Sequence, residues 1–336
     1  MPDDLFGDPP PRKERSANKR RTREGDIRTV NQRVRDITRF KDLYQLATVL
    51  EPAPGPRPGR PAAYPPYVYL LFTALRGIHG SARYSAAEVQ DPALWKKIRK
   101  GVAKTLGKQE AKRLPRTGPS RNQWLHAQRT LLLSNLTELS ETFAHLALAQ
   151  ALRQGLLPPH APRTWSRPQR HQLIAGDGTV VKSPTLATTP YSVDPETGEI
   201  RKRRMDPAAS WQTEGGGDYD RDTAVDGNKA FDAKGGNHVL GTKFILFSTR
   251  HRGYFRRVYL RHCHVPHNYP GGEAAAALKA ACAILDAADG CLGVIYDGAF
   301  RGMHRDVIAR RGRLLINKQH KGPPLHPHPH LPPLPP

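Results

Sequence analysis

His171-Gln-Leu-Ile-Ala-Gly-Asp177-Gly-Thr-Val-Val181 and Cys291-Leu-Gly-Val-Ile-Tyr-Asp297-Gly-Ala-Phe300 share one pattern. In each, a short apolar run delivers an aspartate that a glycine follows at once. Short runs of this kind, bounded by turn signals, read as buried strands. A lone Asp-Gly at a strand end reads as a turn. Two of them, each closing a buried strand, point instead to carboxylates that hold a metal or do acid/base chemistry.

The residues between these runs fix the sheet. A long polar segment, 183–236, follows the first run and includes Glu214-Gly-Gly-Gly-Asp218. Its length predicts a functional or mobile insertion after the first strand. His238 to Ser248 reads as a strand, 249–253 as a turn, and Tyr254 to Val265 as the strand that pairs back. Glu273 to Asp289 reads as a helix, with Leu278, Ala281, Ile284, Leu285 and Ala288 at spacings of three and four and Gly290 as its stop. Leu292 to Tyr296 is the strand that ends in Asp297. A helix bearing Phe300, His304, Val307 and Ile308 follows, stopped by Gly312, and Leu314 to Ile316 is a last strand. The order of strand, hairpin, helix, strand, helix, strand predicts a mixed sheet covered by helices, an α+β or α/β arrangement. If the first strand lies beside the strand ending in Asp297, in the same direction, the two aspartates come together. Two neighbouring carboxylates repel, and a divalent cation relieves that repulsion most readily.

Upstream, residues 26–158 read as an all-helical domain. Ile27, Val30, Val34, Ile37, Leu43 and Leu46 fall mostly at helical spacing, and the Pro/Gly run 52–61 breaks it. Tyr67 to Ile78 is an apolar helix entered through Pro65-Pro66. Ser85-Ala-Ala-Glu88 has the form of a capping box and predicts a helix start there, ending before Asp91-Pro92. Leu94, Trp95 and Ile98 suggest a short third helix. Ser120 to Gln154 reads as one long helix, capped by Ser120 with Gln123 and ended by Gly155 and Pro158. Residues 1–25 are rich in Pro, Arg and Lys and read as a disordered basic arm, and 318–336 as a disordered Pro/His tail.

Lys plus Arg number 53 against 30 Asp plus Glu, a formal charge of +23. Such a surplus attracts polyanions, nucleic acid first among them. No amphipathic basic helix suited to a membrane surface is evident, and the apolar stretch Tyr67 to Leu75 is too short to span a bilayer. Three cysteines imply no disulfide framework, and Met-Pro-Asp-Asp opens no signal peptide. The expected location is a reducing cytosol. Arg261-His-Cys-His-Val-Pro-His267 invites a zinc reading, but on a strand His262 and His264 face one side and Cys263 the other, and no four-ligand spacing results. A glycosidase acid/base pair is disfavoured by only 7% aromatic residues and by the strong positive charge.

Asp177-Gly-Thr at the first strand and Tyr296-Asp297-Gly-Ala-Phe at the fourth resemble the RNase H-like catalytic domain of bacterial insertion-sequence transposases of the DDE class. Asp206-Pro-Ala-Ala-Ser-Trp211 and Gly241-Thr-Lys243 are similar to the segment leading into that family's second strand. Arg60-Pro-Ala-Ala-Tyr-Pro-Pro66, with the helix after it, is similar to its N-terminal helical domain. The resemblance covers about residues 60–320. It implies a helical DNA-binding domain over 26–158 and an RNase H-like catalytic domain over 170–317. It also implies metal-dependent phosphoryl transfer, namely DNA cleavage and strand transfer at element ends, with Asp177 and Asp297 as catalytic metal ligands for Mg²⁺ or Mn²⁺. The implied partners are DNA at element ends and at the target, with a homodimer as a further expectation and no membrane. Lys243, Arg301, Arg305 and Lys318 are expected to meet the DNA, along with Arg310, Arg311, Arg313 and Lys321. The family carries a third acid, a glutamate, on a helix after the last strand. Here the one acid after Asp297 is Asp306, ahead of that strand, and the tail has no helical period. The expectation is a truncated or frame-shifted copy, and the alternative to an active enzyme is a remnant that only binds DNA.

Overall fold

The computed structural model describes residues 28–51, 62–162, 165–185, 191–202, 205–214, 237–251 and 257–317. The expected basic arm, the Pro/Gly run 52–61, the stretch 215–236 and the Pro/His tail lie outside the described residues. The protein is mixed α+β and divides into two compact units, Met1–Leu146 and Ala147–Pro336. No helix among the described residues is long and apolar enough to cross a membrane.

The first unit is helical: α1 (Val30–Thr38), α2 (Lys41–Ala47), α3 (Pro66–His79), α4 (Ala82–Gln90), α5 (Pro92–Leu106), α6 (Lys108–Arg113) and α7 (Arg121–Ala127), with α8 (Leu136–Arg153) crossing the division. The apolar stripe of α3 supplies Val68, Leu71, Phe72 and Leu75 to a core that Trp95, Ile98, Val102 and Trp124 complete. Pro66 occupies the first turn of α3, where a missing N–H costs nothing. The capping box expected at Ser85 is absent. Ser81 is the N-cap of α4, and Ser85 lies one turn inside, its hydroxyl donating to Ser81 O at 2.8 Å. The helix restarts at once because Gly80, left-handed at φ 71°, has just closed α3. Asp91 ends α4 and caps α5, the third helix expected, which runs 15 residues and is not short. The capping box of Ser120 with Gln123 is present. The single helix expected from it is broken, since a π turn over Gln128–Leu132 separates α7 from α8. There the Thr130 and Ser134 hydroxyls donate back to carbonyls four residues earlier, a habit that bends helices.

The second unit holds β1 (Leu173–Lys182), β2 (Tyr191–Val193), β3 (Ile200–Lys202), β4 (Ser210–Glu214), β5 (Asn237–Arg250), β6 (Arg257–Val265), α9 (Gly272–Ala287), β7 (Gly293–Tyr296), α10 (Met303–Ala309) and β8 (Leu314–Asn317). The sheet runs β6-β5-β1-β7-β8, with β4 on β5 beside β6. β5 is antiparallel to β1, β4 and β6, whereas β7 is parallel to both β1 and β8. The two parallel steps are made through α9 and α10, as parallel pairing requires. α9 packs on β6, β5 and β1. Its inner face is Ala276, Ala277, Ala280 and Ala281, all buried, and small side chains let helix and sheet approach closely. Ile174, Ile245, Phe247 and Val294 meet it from the sheet. The insertion is not structureless. It carries the β2–β3 hairpin and the edge strand β4, none of which the polar sequence announced.

Candidate active site

The parallel ladder of β1 and β7 pairs Leu173 with Gly293, Ile174 with Val294 and Ala175 with Ile295. Two residues further on, the same count sets Asp177 abreast of Asp297. Neighbouring strands lie about 4.8 Å apart, so Asp177, which lies in the middle of β1 and not at its end as expected, stands beside Asp297, which follows β7. The period of two puts both on the face of Ala175 and Ile295. That face is open here: Ile295 is 37% exposed, and Leu246, the β5 partner of Asp177, is 38% exposed. Asp297 Oδ1 accepts a hydrogen bond from the Ala299 amide at 3.0 Å, an Asx turn that fixes its carboxylate as the chain leaves β7. Among the described residues no basic side chain lies within ion-pair distance of either aspartate.

On the opposite face, behind the pair, is a residue that sequence reasoning passed over. Glu273, in the first turn of α9, accepts the Tyr296 hydroxyl at 3.0 Å and pairs with Lys243 Nζ at 2.5 Å. Its carboxylate reaches β1 because residue 178 is glycine, and any Cβ there would collide with Glu273 Oε1. A carboxylate in the first turn of a helix also gains from the helix dipole. Tyr296 is buried and stacks on Phe300 at 4.4 Å and on Phe247 at 5.8 Å. Burial, then the charge and hydrogen bond of Glu273, then the charges of Asp297 and Asp177 push its phenol far above the ordinary range. Tyr296 therefore remains a donor, and its phenol stands within the field of all three acids.

The basic residues expected near the site divide. Lys243 is there, engaged by Glu273. Arg301 donates to Gly298 O at 2.8 Å, tying the loop after Asp297, and Arg305 lies exposed, 3.7 Å from Asp306. Arg311 is paired with Asp286 at 2.9 Å and Arg313 donates to Asp289 O at 3.2 Å, so these two serve the helix–strand packing. Lys318 and Lys321 lie outside the described residues. His262 and His264 share one face of β6 with Cys263 on the other, which agrees with the reading against zinc.

His262 is half-buried, and burial, then the Arg261 charge, lower its pKa. The folded state thus favours the neutral ring, whereas the unfolded chain protonates near 6.5. This residue contributes stability above about pH 6.5 that is lost as pH falls toward the lowered value. Thermal melts should show the parent losing stability below pH 6.5 and His262→Gln losing less. Identical pH curves would show that His262 plays no part in the acid sensitivity.

Comparison of the chain with protein-family models, with curated proteins and with solved structures gives no match. Among the described residues no group of three or more His, Cys, Asp or Glu side chains is arranged to hold a metal ion. The donor set to be weighed is therefore the aspartate pair. Two exposed, uncompensated carboxylates suit a hard cation of the Mg²⁺ type, which binds through one or two carboxylates and keeps waters for its other positions.

Proposed function

We propose that this chain is a transposase-like DNA phosphoryl transferase whose site is built on Asp177 and Asp297. The observation that carries the reading is the parallel β1–β7 register, which sets two uncompensated carboxylates side by side. An antiparallel β6-β5-β1 meander continued by two parallel strands is the arrangement an RNase H-like fold requires, and it supports that finer reading. A bound Mg²⁺ or Mn²⁺ would supply Lewis-acid stabilisation at phosphorus and an activated water or 3′-hydroxyl. Asp177 and Asp297 would hold the ion. The Asx turn at Asp297 orients its carboxylate. Tyr296 and Lys243 fix Glu273 on the face behind the pair. The test is supercoiled plasmid incubated with the full chain, with Mg²⁺ or Mn²⁺ and with chelator. Metal-dependent nicking is the expected result.

The second reading is a DNA-binding remnant, favoured by the absence, among the described residues, of a three-ligand metal group. It predicts DNA binding without nicking at any divalent ion. Glu273→Gln separates a structural acid from a functional one. Gln keeps the acceptor for Tyr296 but drops the charge that Lys243 faces. If Glu273 only braces the sheet, nicking stays within about threefold and melting shifts by about 1 kcal/mol or less, as for a partly exposed pair. If Glu273 acts in the chemistry, nicking falls about 10–100-fold, as for outer-shell partners of metal sites.

A further inference from the structure

The solvent face of α5 carries Lys96, Lys97, Lys100 and Lys104, with Arg99 at its margin, and the helix contains no acid in its 15 residues. A merely solvated face mixes both signs. Across from it, α1 presents Asn31, Arg35 and Arg39, and the two helices wall a groove of about 390 Å³ with Lys97, Lys100 and Lys104 on the far side. The crossing is fixed and close. Thr38 and Gly101 meet at its floor, where any Cβ on residue 101 would collide with the Thr38 side chain. Thr38 O also accepts the Tyr44 hydroxyl at 2.6 Å and the Thr105 hydroxyl at 3.4 Å. The floor of the groove is thus held by neutral packing, and its crowded cations repel one another. Lys97 is bound to Asn31 Oδ1 at 3.3 Å and Arg35 lies 3.7 Å from Asp36. Among the described residues, Arg39, Lys100 and Lys104 have no carboxylate within ion-pair reach. Arg35 and Arg39 sit at the C-terminal end of α1, where the helix dipole favours cations. The same reason covers Lys104 in the last turn of α5, but not Lys97 and Lys100 in its middle.

We infer that the α1–α5 groove binds the phosphodiester backbone of a nucleic-acid duplex. Lys97 to Lys104 spans about 10 Å of helix axis, which addresses a line of phosphates and not a single one. A duplex supplies one negative charge per about 1.7 Å of axis. A concave groove with cations on both walls receives a ridge, whereas a membrane presents a plane. The groove's cations meet the backbone, so they hold the duplex without reading its sequence. Duplex binding here is independent of the carboxylate chemistry.

The experiment is fluorescence anisotropy of a labelled 20-base-pair duplex with the full chain, in chelator, across a salt series. Chelator separates groove binding from any metal-dependent event at Asp177 and Asp297, so either idea can fail alone. The groove variant is Lys97→Gln, Lys100→Gln, Lys104→Gln, and an equal-charge control is Arg116→Gln, Arg129→Gln, Lys279→Gln. All six positions are exposed, so the fold should survive, and circular dichroism checks it. Removing one cation that neutralises a phosphate lowers the log–log salt slope by about 0.9. The expected result for the groove variant is a slope smaller by about 2–3 and affinity at least about tenfold weaker at 0.15 M salt, with the control near the parent. Equal weakening in both variants, or none in the groove variant, overturns the inference. So does a groove variant that no longer binds phosphatidylserine vesicles yet keeps the duplex.

Discussion

Asp177→Asn and Asp297→Asn should each lower the proposed metal-dependent nicking by the full chain at least about 100-fold. The scale follows from outer-shell partners, whose loss already costs about 10–100-fold in metal affinity or activity. A direct ligand costs more. Asn is nearly isosteric with Asp, and both positions are exposed, so neither change has packing to disturb. In the Asp297→Asn variant the side-chain oxygen still accepts from the Ala299 amide, and the turn after β7 survives. The substitutions also remove a repulsion, since the two carboxylates stand side by side without a basic partner among the described residues. In chelator the variants should therefore melt at or slightly above the parent temperature. Adding Mg²⁺ or Mn²⁺ should raise the parent's melting temperature, by the equivalent of about 2.7 kcal/mol at a hundredfold excess over Kd, and leave the variants unmoved. A variant that keeps nicking, or a parent whose melt ignores both ions, removes the aspartate pair from the chemistry. A parent that shifts with metal but does not nick leaves a cation-binding remnant.

The aspartates were legible because strands have a period of two and because Asp-Gly marks a turn. That cue held for Asp297, which follows β7, but failed for Asp177, since β1 runs on past Asp177-Gly178 to Lys182; the crossover rule was what made the two neighbours. Glu273 was not legible. Its position depends on the N-terminus of α9 lying over Gly178, far back along the chain, and no local periodicity encodes that approach. The glycine itself was visible, but only the fold shows that its missing side chain admits a carboxylate. The hairpin β2–β3 was hidden for a different reason. Its residues are exposed or half-exposed on both faces, so burial leaves no alternation in the sequence. The long helix expected from Ser120 failed at a π turn, since one wide turn shifts the apolar stripe by a residue without interrupting it. The cations of α5 were plainly written, whereas their partner wall on α1 appears only once Thr38 and Gly101 meet.

Phe247→Ala is the substitution with the largest expected cost in stability, about 3–5 kcal/mol. Phe247 is fully buried on β5, in register with Gly176 of β1, and its ring fills the space that a side chain on residue 176 would need. The same ring stacks on Tyr296, one residue before Asp297. Removing it leaves a void that Gly176 cannot fill, because glycine has no side chain to turn inward. Little collapse is available, so the cost belongs in the upper part of the range. Against a total of about 5–15 kcal/mol for a domain, that is about a fifth of the stability or more. Phe247→Leu, which restores most of the volume, should cost about 1.5 kcal/mol or less. The informative control is the preceding residue. Leu246 lies on the open face with Asp177, and Leu246→Ala should cost about 0.5 kcal/mol, as surface changes do. A strand shifted by one residue would exchange the two faces entirely. Urea denaturation of the three variants therefore reads the β1–β5 register directly. If Leu246→Ala proves the costlier change, Asp177 points into the core, and two exposed carboxylates side by side cannot exist.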